Sequence, residues 1–101
     1  MLTHSLVVKI VAKADRAEDV AAFLTGALPL AQAEAFTPVW FALRADATTF
    51  YIVDAFAGDA DRTRHLEGPI AAALMANAEE LLAAPPAIQP ASVLASKVVA
   101  S

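Results

Sequence analysis

The chain has 101 residues, enough for one domain around a single core and too few for a second, cofactor-holding domain. A formal net charge of -4 with seven scattered Lys and Arg offers no basic stripe to a nucleic acid, and although 58% of the residues are hydrophobic, no uncharged apolar run approaches the ~20 residues that span a bilayer. The absence of cysteine excludes disulfides and thiolate catalysis, and two histidines far apart in sequence argue against a metal site.

In chain order, MLTHSLVVKIVAK has no basic segment ahead of its apolar residues and no small-residue cleavage site, so a cytoplasmic protein is expected. Residues 5–14 are rich in β-branched side chains and predict a strand. Residues 15–34 have helical spacing, with Asp15 as N-cap, Glu18 three residues on as in a capping box, and Val20, Phe23, Leu24, Ala27, Leu28 and Ala31 as the buried stripe. Pro29 falls inside that helix, where it removes the backbone bond to Thr25 and predicts a kink at 26–30. Residues 39–45 and 49–56 predict a hairpin, residues 59–66 a short helix, and Gly68-Pro69 the start of a last helix that Pro85-Pro86 stops. The final strand is expected over 88–99, with Pro90 favouring a sheet edge.

This order, β-α-β-β-α-β, is ferredoxin-like: an α+β fold with a four-stranded antiparallel sheet and its helices on one face, the whole chain (1–101) forming one domain. The other face then lies bare, yet the strands are apolar on both sides, as in Leu6, Val7, Val8, Ile10, Val11 and in Val39, Trp40, Phe41, Ala42, Leu43. An exposed patch of that size predicts a homodimer joined through the sheet faces.

From Val39 to Pro69 the chain reads VWFALRADATTFYIVDAFAGDADRTRHLEGP. Asp54, Phe56, Ala60, His65, Leu66 and Pro69 occur at spacings that resemble the quinol monooxygenase-like group of the antibiotic biosynthesis monooxygenase domains, and element order extends the resemblance over roughly residues 5–97. The resemblance implies a dimeric α+β barrel and an enzyme that oxidises phenolic or hydroquinone substrates with dioxygen, often without metal or flavin, so no cofactor is expected. Such chemistry requires a base or hydrogen-bonding partner, a donor for the substrate anion and an apolar pocket.

His65 matches the family's histidine and is the candidate base, since imidazole accepts a proton near neutral pH; the competing reading is a partly exposed residue bonded to backbone or an acid. Trp40 could be a stacking wall where many relatives have Tyr, or core packing. Asp54, where the family usually has Glu, interrupts an apolar strand and must be paired, with Arg44, Arg62 or Arg64 as candidate partners. An odd number of residues in the hairpin loop places Trp40, Arg44 and Asp54 on one face and an even number separates Asp54; ADATT leaves both open. Tyr51, Phe23, Phe56 and Met75 complete the candidate set for a small apolar or aromatic molecule, or are ordinary core. Asn77 and Glu34 read most simply as surface residues, Glu34 matching a family acid, and His4 as part of a loose terminus. Three functions follow: a cofactor-independent oxygenase, a non-catalytic ligand-binding module, and a heme-degrading relative, the last disfavoured because SLVVKIVAK lacks the Asn those relatives carry.

Overall fold

The computed structural model describes residues 1–99. Its elements run β1 (His4–Val11), α1 (Ala17–Gly26), α2 (Leu28–Gln32), β2 (Val39–Arg44), β3 (Thr49–Phe56), α3 (Asp59–Leu66), α4 (Pro69–Leu81) and β4 (Ala87–Ser92). The four strands form one antiparallel sheet in the order β2-β3-β1-β4, so the ferredoxin-like topology is present. Pro90 sits on an edge strand, opposite Leu6, where its missing N–H interrupts no second ladder.

Four local expectations are corrected. The single helix over 15–34 is two helices, because the chain breaks at Ala27 and Pro29 enters the first turn of α2, where no intrahelical N–H is required. The capping box does not form: the cap residue is Arg16, without a side-chain cap bond, and Glu18 reaches across to Arg44. β1 stops at Val11, where its partner β3 begins at Thr49, and Ala12 makes only an isolated bridge to Leu82. β4 ends at Ser92 rather than reaching 99, because Ser92 pairs with His4, the first residue of β1, and past it no strand remains to pair with.

The helices cover one face of the sheet. β3 shows why: its burial alternates strictly, with Phe50, Ile52, Asp54 and Phe56 inward, and they join Leu6, Val8 and Ile10 of β1, Val20 and Leu24 of α1, and Leu74 and Leu81 of α4 in one core. The opposite face carries Val7, Phe41, Leu43, Tyr51, Val53 and Ala55 with no element over it, and Phe41 and Leu43 are 56% and 46% exposed. Among the described residues no helix is long and apolar enough to cross a membrane.

Candidate functional site

β2 and β3 pair with Trp40 opposite Asp54 and Arg44 opposite Phe50. Five residues, 45–49, lie between that last pair, so the loop is odd and Trp40, Arg44 and Asp54 share the helix-covered face. Asp46 makes the turn by accepting the backbone N–H groups of Thr48 and Thr49. Asp54 is thereby held under the helices at 1% exposure, in a place otherwise occupied by Phe, Ile and Leu.

The partner of Asp54 is His65, not an arginine. α3 brings the imidazole down onto β3, with its ring against Phe56 at 5.3 Å between centroids and its Nε2 3.1 Å from Asp54 Oδ2, an ion-pair distance that lies off the N–H direction of an aligned hydrogen bond. On the other side of the ring, Nδ1 lies 2.6 Å from Glu34 Oε1. Thr37 Oγ1 donates to the same oxygen at 2.8 Å and stands 3.4 Å from Nδ1. Glu34, Thr37, Asp54 and His65 are the buried polar residues of the chain's described part, and they form one connected row.

The row is built locally. The break before Pro29 shortens α2, and the turn that follows, closed by Glu34 N to Ala31 O and Thr37 N to Glu34 O, folds both side chains inward. Arg64 stacks over Phe36 in that turn at 4.2 Å, pinning it to α3 one residue before His65. Gly68, at the start of α4, leaves room for the carboxyl: a Cβ there would stand 3.0 Å from Glu34 Oε2 and 3.2 Å from the His65 carbonyl oxygen.

Burial disfavours the charged ring of His65, but the carboxyl groups of Asp54 and Glu34 on either side more than offset it, and the pKa is raised above the usual histidine value. His65 is therefore neither partly exposed nor free at either nitrogen. Four buried atoms beside it lack a hydrogen-bond partner in aligned geometry: Glu34 Oε2, Trp40 Nε1 and both carboxyl oxygens of Asp54. A cleft of about 230 Å³ opens between α2 and β2, lined by Leu28, Ala31, Gln32, Glu34, Thr37, Pro38 and Trp40.

No family model matches the chain, and no curated protein matches it. Among solved structures it is similar to a protein of unknown function from Nitrosomonas europaea, at 48% identity and a TM-score of 0.97, over 100% of this chain and 98% of that one. The chain belongs to the family of that Nitrosomonas protein. A Pseudomonas aeruginosa protein superimposes with a TM-score of 0.79 at 24% identity, covering 94% of this chain and 97% of its own. A second Nitrosomonas europaea protein, provisionally named an antibiotic biosynthesis monooxygenase, does so with a TM-score of 0.80 at 17% identity, over 91% of this chain and 90% of that one. The fold is thus that of the antibiotic biosynthesis monooxygenase domains.

Within that fold the sequence candidates divide. His65, Asp54, Phe56 and Trp40 come together. Arg44 shares their face but sits at the far end of β2, bonded to Glu18 at 2.7 Å and stacked on Phe50 at 5.0 Å. Arg62 holds Asp59 and the carbonyls of Ser5 and Ala91, so none of the three expected arginines meets Asp54. Tyr51 points to the bare face, opposite Leu43 and Lys9, away from His65. Met75 is 56% exposed beside the end of α4, and Phe23 packs at the α1-α4 groove. Asn77 donates to the Ala73 carbonyl within its own helix, and His4 belongs to β1, where Thr3 Oγ1 lies 2.7 Å from its ring. Glu34 is the residue that sequence reasoning placed on the surface and the fold buries; the signal available was its match to a family acid. Thr37 gave no signal at all.

Proposed function

We propose that this protein is a cofactor-independent monooxygenase that oxidises a small aromatic, quinol-type molecule with dioxygen, acting as a homodimer joined through the bare faces of its sheets. The observation that carries the reading is the buried row Glu34, His65, Asp54 beside a cleft that also presents Trp40 with an unpartnered indole N–H. A polar cluster placed in an apolar core is expensive to keep, and a histidine held between two carboxyl groups close to a cleft marks a candidate working site. The provisional names of similarly folded proteins point the same way.

Triplet dioxygen reacts slowly with closed-shell molecules, so the phenol must first become an electron-rich anion. The cleft takes the ring against Trp40 and the row takes part in removing its proton, with His65 as hydrogen-bonding partner inside it. The phenolate gives one electron to dioxygen, the two radicals combine at ring carbon, and loss of water leaves a quinone. Overall a ring C–H and a phenolic O–H are replaced by a carbonyl pair, one oxygen atom enters the ring, and the other leaves as water. At about 230 Å³ the cleft suits one ring.

A non-catalytic ligand-binding module draws support from the engagement of both His65 nitrogens by carboxyl groups. A heme-degrading role does not fit, because the same engagement leaves no ring nitrogen to reach iron and the cleft is far smaller than a porphyrin. Association of two sheets draws on the exposed Phe41 and Leu43 and the half-buried Val7, Tyr51 and Val53 around them. Oxygen-electrode assays over a hydroquinone panel test the main reading: oxygen uptake with quinone formation is expected, whereas a compound that raises the melting temperature without turnover makes the chain a binding module.

A further inference from the structure

The proposed chemistry needs an atom that receives the substrate's proton, and His65 is poorly placed to be it. Its ring is 5% exposed, it does not line the cleft, and each nitrogen already faces a carboxyl oxygen. Asp54 is 1% exposed and lies behind the ring. Glu34, at 7% exposure, is as buried as His65 but differs from both in lining the cleft: its Oε1 is saturated by His65 Nδ1 and Thr37 Oγ1, and its Oε2 has no hydrogen-bond partner.

With one proton in each of the two contacts, at 2.6 Å and 3.1 Å, the three groups together hold a single negative charge. The cations of the neighbourhood are engaged elsewhere, Arg44 on Glu18, Arg62 on Asp59 and Arg64 against Phe36. A third proton would leave the row neutral, and the oxygen without a donor on the residue of the row that lines the cleft beside Trp40 is Glu34 Oε2.

Resting on the oxygenase reading, we propose that Glu34 takes the phenolic proton on Oε2, and that His65 and Asp54 are positioning residues that hold its carboxyl and keep the row's charge in place. The substrate O–H bond breaks, a new O–H bond forms on Oε2, and the electron pair stays on the phenolate oxygen, with Trp40 Nε1 available as a donor to a ligand oxygen in the same cleft. His65 keeps its two protons throughout. With no free cation lining the cleft's inner end, the substrate that fits is a neutral phenol or quinol rather than one carrying a carboxylate or phosphate.

The probe is 4-nitrophenol, whose phenolate absorbs visible light where its neutral form does not, titrated at a pH at which the free probe is neutral. Bound to the wild-type protein it should show the phenolate band. Glu34→Gln should bind it without the band, and Glu34→Asp should restore part of it. His65→Gln, Asp54→Asn and Thr37→Val should lower the phenolate-to-phenol ratio of bound probe about tenfold while equilibrium dialysis shows affinity within about threefold of wild type. Thr37→Val keeps the His65 and Asp54 pair intact and so serves where the other two do not fold. Persistence of the band in Glu34→Gln together with its loss in His65→Gln would overturn the proposal and make His65 the acceptor. A wild-type protein that consumes oxygen with hydroquinone but binds the probe without a band would overturn this proposal alone; failure to bind the probe and to consume oxygen would remove the oxygenase reading with it.

Discussion

The two faces of the sheet are made from alternate residues of the same strands, and they end in opposite states. On the covered face of β3, Phe50, Ile52, Asp54 and Phe56 are all 3% exposed or less. On the bare face of the same sheet, Phe41 and Leu43 stand in the open and Lys9, near the hairpin, is the charged residue among them. Among the described residues no helix or strand covers the apolar face, which the segment 93–99 borders near Val39, Phe41 and Ala55, whereas the charged Asp54 is the more completely buried. Burial here follows pleat parity and helix placement, not hydropathy: Asp54 is inside because its neighbours two residues away must be, and the fold then supplies His65 and Glu34 to accommodate it.

One aspartate on each face should have opposite consequences. Val8→Asp places an unpaired charge in the core and should abolish folding, read as loss of the near-ultraviolet circular dichroism and of cooperative melting. Phe41→Asp, on the bare face, should leave the chain folded and convert a dimer of the 10.5 kDa chain to monomer in light scattering. A folded Val8→Asp or an unaltered dimer in Phe41→Asp would assign the two faces wrongly.

Next in size is the row itself. Asp54→Ala leaves His65 with one carboxyl neighbour in a buried site and should destabilise by about 3–5 kcal/mol in urea unfolding, the range for breaking a buried pair from one side. Asp54→Leu, which fills the space without a charge, tells whether the pair serves stability: a loss smaller than that of Asp54→Ala means that it does not, in keeping with a functional row.

A smaller effect is expected at Gly68. Its Cβ would meet Glu34 Oε2 at 3.0 Å and two carbonyl oxygens at 3.2 and 3.4 Å, so Gly68→Ala should cost about 1–3 kcal/mol by overpacking and displace the Glu34 carboxyl. The histidine ring resonances of His65 should shift in the variant, and by more than those of His4, which pairs with Phe56 on β1 and has Thr3 Oγ1 beside its ring. Unchanged resonances would mean that the carboxyl has slack to move.

The gentlest probe is pH. His65 has its pKa raised in the folded protein, so it binds its proton more tightly there than in the unfolded chain. That stability is fully present below the ordinary histidine value of about 6.5 and is lost as pH rises through the higher folded value. The melting temperature should therefore decline over that window above about 6.5, and Asp54→Asn should flatten the decline because it removes the foremost of the contacts that raise the pKa. A melting temperature that rises across the same window would reverse the sign assigned to the row.

How much of this could be read from the chain depends on how local each cause is. The hairpin strands, α3 and α4 appear where periodicity, Gly68-Pro69 and Pro85-Pro86 place them, because those signals act within a few residues. The kink at Pro29 was visible in kind but not in degree, since one proline weakens a helix and only packing decides whether it bends or breaks. The end of β4 was not visible, because a strand stops where its neighbour stops, and the neighbour is β1, some eighty positions earlier in the chain. The same reason hid the partner of Asp54. Arginines near it in sequence were the natural candidates, yet Arg44 is drawn to Glu18, and the group that meets Asp54 arrives from α3.

By itself the sequence determined the α+β class, the order of elements and the apolar character of both sheet faces, and it singled out His65 and Asp54 as candidates, since composition, spacing and turn residues act on the local backbone or record a family pattern. Only the tertiary structure decided the parity of the hairpin, the union of Glu34, Thr37, His65 and Asp54 into one buried row, and the separation of Tyr51, Met75 and Arg44 from it. Those outcomes depend on which residues from distant segments share a face and a depth, and a hydrogen bond across thirty-one positions, as between Glu34 and His65, leaves no trace in either local segment.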